Sequence, residues 1–192
     1  MIEAQYNPFL GKRLQFRHIL PSDLELIRFW FNTPSVRGKI HLDDEINPWL
    51  AITEEQMKAL YEKWTKKERR THLMIETNDQ QTPIGLVSWD IEWDSHCPSM
   101  DLFIAPDHAR NDDFWLESLQ LLLNYLYNYS PAHSVSWWIS ELDSERLAFA
   151  QKLGFQDQGK MRRIAIVEGR DVGLLVLDML KREWIERQKQ GN

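Results

Sequence analysis

Residues 134–155, SVSWWISELDSERLAFAQKLGF, contain a strand, a helix and a helix-ending glycine in immediate succession. Apolar residues at 135, 137 and 139 alternate with serines at 134, 136 and 140, which is typical of a strand with one buried face. The stretch from Asp143 to Leu153 predicts a helix. This helix ends at Gly154, because glycine adopts the left-handed conformation of a helix end at low cost. A strand that leads directly into a helix predicts a βα crossover.

The rest of the chain adds hairpins to this crossover. Two strands joined by the polar turn Asn78-Asp79-Gln80-Gln81 predict one hairpin, and two strands joined by Glu168-Gly169-Arg170-Asp171 predict another. The predicted strands outside the opening stretch are Leu14–Ile19, Leu73–Glu76, Ile84–Trp93, Met100–Ile104, Met161–Val167 and Val172–Leu177. The other predicted helices are Leu24–Phe31, one that Thr53 caps and that continues through Trp64, and Phe114–Tyr129. Together they predict an α+β fold with a mixed, mostly antiparallel central sheet flanked by helices.

Composition limits the classes of function. The 192 residues contain no repeat, low-complexity tract or Gly/Ser linker, so we expect one domain over residues 1–192. A formal net charge of -6 disfavours a nucleic-acid surface. Cys97 is the only cysteine and the six histidines form no spaced pair, so we expect neither a disulfide nor a metal site. No apolar run is long enough to span a bilayer, which predicts a cytoplasmic protein without a membrane partner.

Several short motifs in a fixed order resemble the GNAT family of N-acetyltransferases, in particular its branch that acetylates protein N-termini and small amines. The motifs are spread over nearly the whole chain, and the resemblance depends on their order and spacing. These are Leu14-Gln15-Phe16-Arg17 with Asp23, Pro83-Ile84-Gly85-Leu86-Val87, Ile104-Ala105-Pro106, Glu117-Ser118-Leu119, Lys152-Leu153-Gly154-Phe155 and Glu183-Trp184.

The resemblance implies that acetyl-CoA is the co-substrate and that an uncharged amine attacks its thioester directly. In the family, two neighbouring parallel strands separate to form the cleft. Here these strands are Met100–Ile104 and Ser134–Ser140. The unpaired backbone N–H groups of the first strand hold the pantetheine arm and polarise the thioester carbonyl. The family's pattern assigns this role to the backbone of Leu102, Phe103 and Ile104.

The family binds the cofactor's pyrophosphate on a glycine-containing loop that opens the long helix. The matching residues are Arg110, Asn111, Asp112, Asp113, Phe114 and Trp115. Arg110 fits the pattern, but Asp113 and Trp115 occupy the two glycine positions. Either Asp112 or Asp113 is expected to cap the helix and so to occupy the anion site. If other groups hold the phosphates, the candidates are Arg110, Arg146 and Lys152.

The first candidate for acid–base chemistry at the cleft is Asp101, a carboxylate between two apolar residues of a central strand. Asp90 and Glu92, which alternation places on one face, are alternatives that a solvated strand face explains as well. In many relatives a tyrosine protonates the leaving thiolate, and Ala150 occupies the matching position here. Either Ser140 acts as the acid instead, or no protein acid is used. Asp143 matches a position that lies near the cofactor arm in the family, and a role as the cap of the following helix explains it equally well.

Two functions remain open from the sequence. The first is transfer of an acyl group from acetyl-CoA, or from another acyl-CoA, to a primary amine of a small molecule or peptide, with a homodimer allowed. The acceptor would then bind between the first two helices, the segment 41–49 and the turn 168–171, where Asp43, Asp44 and Glu45 would attract a cation. The second is a binding or regulatory module that keeps the fold without catalysis.

Overall fold

The computed structural model describes residues 7–37, 50–66, 70–90, 96–167 and 169–190, which form seven strands and five helices in these ranges. A short 3-10 turn, Pro21–Asp23, leads into α1. The strands are β1 Leu14–His18, β2 Arg70–Thr77, β3 Pro83–Asp90, β4 Ser99–Ile104, β5 Ser134–Ser140, β6 Gln156–Val167 and β7 Arg170–Leu180. The helices are α1 Leu24–Asn32, α2 Glu54–Lys66, α3 Asp112–Tyr129, α4 Ser144–Leu153 and α5 Lys181–Gln190.

All seven strands form one sheet in the order β1-β2-β3-β4-β5-β7-β6. Neighbouring strands are antiparallel except β4 and β5, which pair in parallel. A parallel pair needs a long crossover, and α3 supplies it between β4 and β5. The mixed, mostly antiparallel sheet flanked by helices is therefore confirmed.

Helices cover both faces of the sheet. One hydrophobic cluster packs Leu119, Leu122 and Leu126 of α3 against buried strand residues that include Trp137. A second cluster packs α1 and α2 against the other face, where Phe103 lies. These two clusters fix the position of β4 from both sides.

Local capping follows the sequence. Thr53 and Gln56 form a reciprocal cap at the start of α2, since Gln56 N donates to Thr53 Oγ1 at 3.2 Å and Thr53 N donates to Gln56 Oε1 at 2.9 Å. Gly154 ends α4 with φ of 96°, the left-handed conformation predicted for it.

The structure extends the predicted elements near the C-terminus. β6 begins at Gln156 instead of Met161, and β7 continues to Leu180. Helix α5 was not predicted, because its one buried apolar residue is Trp184 and the helix is otherwise rich in charged and amide side chains. Its start is fixed by Glu183, whose Oε2 accepts a hydrogen bond of 3.0 Å from Leu180 N. Glu92, Glu168 and the segment Asp43–Glu45 lie outside the described residues.

Candidate active site

Strands β4 and β5 pair over only two residue positions and then separate. The register joins Ser99 to Ser136 and Met100 to Trp137, and Ser136 N donates to Pro98 O at 2.9 Å. Beyond Met100, β4 stays paired with β3, whereas β5 stays paired with β7 as far as Ser140. The separation therefore opens a gap in the sheet, at the place where the sequence predicted it.

Backbone groups of β4 face this gap at alternate residues. Ala105 N donates to Ile84 O at 2.8 Å, so alternation directs the N–H groups of Asp101 and Phe103 towards β3. The N–H groups of Leu102 and Ile104 therefore face β5 and the gap. Phe103 was expected to contact the cofactor through its backbone, but its N–H group is directed towards β3. Phe103 is nevertheless one of the residues that line a cavity.

The Asp101 carboxylate closes the inner end of the gap. Its Oδ1 accepts three hydrogen bonds: 2.9 Å from Leu102 N, 3.2 Å from Trp137 Nε1 and 2.8 Å from Arg146 Nη1. The side chain is 16% exposed, and its Oδ2 accepts no hydrogen bond from the described residues. One oxygen is thus saturated, and the other is the only one available for a substrate proton.

Asp143 caps helix α4 and also contacts the Arg146 side chain. Its Oδ1 accepts a hydrogen bond of 3.1 Å from Arg146 N, and its Oδ2 lies 3.1 Å from Arg146 Nε as an ion pair outside hydrogen-bonding geometry. The Arg146 side chain is only 4% exposed. Because its charge is already shared by Asp101 and Asp143, Arg146 is less suited to bind phosphates than the exposed Lys152, and its place among the candidate phosphate ligands stays a prediction.

The pairing of Asp101 with Arg146 was missed in the sequence, although a signal for it exists. A carboxylate in an apolar strand needs a buried partner, and Arg146 is the only basic residue in the first turn of the helix that follows β5. Spacing alone could not show that this turn lies over the gap.

A cavity of about 700 Å³ opens between β4, α3 and α4. Phe103, Trp115 and Phe149 supply aromatic walls, and Arg110 and Lys152 supply cationic groups. The cavity is therefore apolar on its sides and lined by both cationic and acidic groups, and Arg110 and Lys152 suit a ligand with an apolar arm and anionic groups. The remaining lining residues are Ser35, Val36, Ile104, Pro106, Ala109, Asp112, Asp143, Glu145, Arg146 and Ala148.

The residue that caps helix α3 is Asn111, not Asp112 or Asp113 as expected. Asn111 Oδ1 accepts a hydrogen bond of 3.1 Å from Asp113 N, while its own backbone has the extended conformation of a cap. A residue must lie just outside the helix to act as its cap, and α3 already begins at Asp112. The cap therefore occupies one of the N–H groups that a phosphate would otherwise use.

Asp113 and Phe114 contact the strand end instead of the cavity. Arg13 Nη1 lies 2.8 Å from Asp113 Oδ2, and the Arg13 guanidinium lies 5.9 Å from the centre of the Phe114 ring. These two residues, with Asn111, line a separate cavity of about 650 Å³ on the other side of the loop. Arg110 and Asp112 line both cavities.

Trp115 takes the place of a loop glycine and closes the loop with its side chain. Its Nε1 donates to Ala109 O at 3.0 Å, and its rings lie 5.6 Å from Phe149. The half-buried indole therefore forms part of the cavity wall. Where the family's pattern has a bare backbone, this chain presents an aromatic face.

Ser140 lies at the end of β5, and its hydroxyl has a local role. Its Oγ accepts a hydrogen bond of 3.3 Å from Leu142 N, and its carbonyl accepts one of 2.9 Å from Asp143 N. Ser140 is buried and does not belong to the residues that line the 700 Å³ cavity. These contacts shape the turn before α4, and Ser140 as an acid stays a prediction.

The described residues contain neither a metal-binding cluster nor a membrane-spanning helix. No group of three or more His, Cys, Asp or Glu side chains is placed to hold a metal ion within the ranges given above. Among the helices of the same ranges, none has the length and apolar character needed to cross a membrane.

The sequence model described as "Acetyltransferase (GNAT) domain" matches residues 13–156, which include the gap, the loop and the cavity. The chain belongs to this family. Membership makes it an acyl-CoA-dependent N-acetyltransferase with acetyl-CoA as co-substrate, and it confirms the resemblance noted in the sequence.

Solved structures share the fold of the acetyltransferase at low identity. Spermidine N-acetyltransferase from Vibrio cholerae in complex with CoA and spermine is 18% identical, with a TM-score of 0.77 over 91% of this chain and 99% of that chain. Spermidine/spermine N-acetyltransferase from Vibrio cholerae in complex with manganese ions is 17% identical, with a TM-score of 0.72 over 91% of this chain and 96% of that chain. No curated protein matches the sequence.

Proposed function

We propose that the acetyltransferase transfers the acetyl group of acetyl-CoA to a primary amine of a small, cationic molecule. The observation that carries the proposal is the gap that β4 and β5 leave beyond Met100. Arg146 connects the two parts of this site, because it lines the 700 Å³ cavity and also binds the Asp101 carboxylate. Similarity to spermidine N-acetyltransferases favours a small amine over a peptide. The net charge of -6 favours a cationic acceptor, because it attracts cations at long range.

The acyl donor occupies the 700 Å³ cavity in this proposal. Its apolar arm packs along Phe103, Trp115 and Phe149, and its thioester reaches the gap beside Ile104. Arg110 and Lys152 bind the phosphates. Lys152 is 73% exposed and lies 3.7 Å from Asp112, an ion pair weak enough for a phosphate to replace.

The chemistry in the gap needs a proton acceptor for the attacking amine. Asp101 provides it through Oδ2, because Oδ1 is held by three donors. Ala150 is fully buried and replaces the tyrosine of many relatives, so no side chain at that position can protonate the thiolate. The thiolate then takes its proton from Ser140 or, without a protein acid, from water.

Ligand-dependent melting tests the proposal. A ligand at one hundred times its dissociation constant stabilises the folded state by about 2.7 kcal/mol, which raises the melting midpoint by several degrees. We expect this shift with acetyl-CoA and with CoA. Release of CoA thiol in the presence of spermidine, compared with a peptide carrying a free N-terminus, then distinguishes the acceptor classes.

Lys152→Gln tests the position of the phosphates. We expect weaker CoA binding in this variant, with a smaller loss for CoA that lacks the 3′-phosphate if Lys152 contacts that group. Lys66→Gln is the matched control, because Lys66 is 75% exposed at the end of α2 and lies outside the cavity. Equal binding by wild type and Lys152→Gln at low salt would remove Lys152 from the site.

A second function is favoured by one feature, the loop around Trp115. With its glycine positions filled and Asn111 occupying a helix N–H group, the fold could act as a binding or regulatory module without CoA. Absence of any melting shift with acetyl-CoA and CoA would support this second function and contradict the first.

A further inference from the structure

Arg146 has donor capacity left over after its contacts with the described residues. Nη1 is bound to Asp101 at 2.8 Å, and Nε is fully buried beside Asp143 without a hydrogen-bond partner. Nη2 donates no hydrogen bond to the described residues, yet it is not one of their fully buried unpaired atoms. Arg146 is also one of the residues that line the 700 Å³ cavity.

The guanidinium is held in one orientation before any ligand arrives. Its side chain is 4% exposed, Asp101 fixes one edge and Asp143 lies along another. Asp143 is itself fixed, since its Oδ1 caps α4 through Arg146 N at 3.1 Å. Donors fixed in this way stabilise developing charge without reorganisation at the moment of reaction.

The neighbouring backbone increases the need for such a donor. Of the two β4 amides that face the gap, Leu102 N–H is already bonded to Asp101 Oδ1 at 2.9 Å. A carbonyl oxygen that enters the gap therefore finds one of them engaged. Arg146 and Ile104 both line the 700 Å³ cavity, so the Arg146 guanidinium and the N–H of Ile104 are the remaining candidate donors.

We propose that Arg146 is a catalytic residue that donates a hydrogen bond from Nη2 to the thioester carbonyl oxygen of the acyl donor. The inference rests on the proposed function. The amine nitrogen forms a bond to the carbonyl carbon, and the carbonyl electron pair moves to the oxygen that Arg146 stabilises. The pair then returns, the C–S bond breaks, and CoA leaves as a thiolate. The proton of the attacking amine passes to Asp101 Oδ2.

Infrared spectroscopy of bound acetyl-CoA tests this contact directly. With ¹³C in the thioester carbonyl, we expect the carbonyl stretch to shift to lower frequency on binding to wild type, because a charged donor weakens the C=O bond. Ethyl-CoA, a thioether that lacks the oxygen, should bind about tenfold more weakly or worse, as expected for loss of a hydrogen bond to a charged group.

Arg146→Lys tests the residue. Lysine keeps the charge, but its ammonium group cannot bind Asp101 and the ligand in the fixed planar geometry of a guanidinium. The frequency shift and the preference for acetyl-CoA over ethyl-CoA should therefore both become smaller, and the remainder should come from the N–H of Ile104. The kcat should fall about 10²-fold to 10³-fold, while the KM for acetyl-CoA changes less. Arg70→Lys is the control, since Arg70 pairs with Asp90 at 3.5 Å and lies outside the cavity.

The outcomes separate this inference from the proposed function. If wild type binds neither acetyl-CoA nor CoA, the proposed function fails first. If wild type binds both acetyl-CoA and ethyl-CoA equally and the carbonyl frequency is that of free acetyl-CoA, the Arg146 contact is overturned. This second measurement needs no variant, so it holds even if Arg146→Lys does not fold.

Discussion

Asp101 is the residue at which the contacts of the gap meet, because one of its oxygens binds groups from β4, β5 and α4. Its other oxygen remains for chemistry. In Asp101→Asn the amide oxygen can keep the three bonds, but the amide nitrogen cannot accept a proton. We therefore expect a folded protein whose acetyl transfer at neutral pH is lower by about 10²-fold to 10⁴-fold.

The measurement for Asp101→Asn is the pH dependence of kcat/KM, together with CoA affinity by isothermal titration. Binding of CoA should persist, because Asp101 does not line the 700 Å³ cavity. A variant with the pH profile and rate of wild type would exclude Asp101 from the proton transfer and leave it as a support for Arg146.

Helix α3 shows how one element can lose a binding motif and keep its structure. Restoring glycine at positions 113 and 115 removes one negative charge and lets a phosphate approach the helix N-terminus. We expect tighter CoA binding by the double variant Asp113→Gly/Trp115→Gly, with the largest gain at low salt. Isothermal titration at two salt concentrations measures this gain.

The same double variant should be less stable in buffer. It loses the contact of Trp115 with Phe149, the bond from Trp115 Nε1 to Ala109 O, and the ion pair of Asp113 with Arg13. The Asn111 cap remains, so Asn111→Ala is a useful comparison whose expected cost is about 0.5–2 kcal/mol. Wild type that already binds CoA in the low micromolar range, with no gain in the double variant, would contradict the loop argument.

The turn before α1 is tied to the sheet by a charged network. Arg17 Nη1 lies 2.7 Å from Asp23 Oδ2 and Arg17 Nε lies 2.5 Å from Glu76 Oε2. Burial raises the pKa of Asp23, but hydrogen bonds from Arg17 and from Leu20 N outweigh it, so the net pKa lies below the ordinary range. A carboxylate with a lowered pKa in the folded state stabilises the protein above its unfolded pKa and loses that contribution as pH falls.

We therefore expect Asp23→Asn to be less stable than wild type at pH 7, with a difference that shrinks as the pH is lowered through about 4 and below. Urea unfolding at pH 7, 4 and 2.5 measures the difference in free energy of unfolding, because the contribution is lost only as the pH falls below the unfolded pKa of about 4. Glu25→Gln is the control, because Glu25 is exposed and pairs only with Arg28 within α1. A difference that stays constant across this pH range would show that the Asp23 charge adds no stability.

Elements with a clear periodicity were predictable from the sequence, and contacts between elements were not. The alternating pattern of residues 134–140 and the glycine at 154 depend on local physics, so both were confirmed. The cap of α3 was assigned one or two residues too late, because Asn111, Asp112 and Asp113 are all good caps and only the helix start distinguishes them. The contact of Arg146 with Asp101 joins residues 45 positions apart, which no local pattern encodes.

At the scale of the whole molecule, the two hydrophobic clusters share one sheet. Phe103 belongs to one cluster, while its neighbours Leu102 and Ile104 belong to the other. Loss of either cluster would expose one face of β4, so we expect a single cooperative unfolding transition. Far-ultraviolet circular dichroism and tryptophan fluorescence should give the same midpoint in urea.

Two separate transitions in that experiment would contradict one folding unit over residues 1–192, which stays a prediction. The homodimer stays a prediction as well, and light scattering of the purified protein measures it.

Trp115 gives the molecule an optical reporter of cavity occupancy. Five of the described tryptophans, at positions 30, 64, 89, 137 and 184, are buried in the core, and Trp138 is 40% exposed. Trp115 is the described tryptophan whose indole lines the 700 Å³ cavity, with its Nε1 held by Ala109 O. A molecule that enters the cavity must displace water from this indole or stack on it, so its emission will change with binding while the core tryptophans provide a constant background.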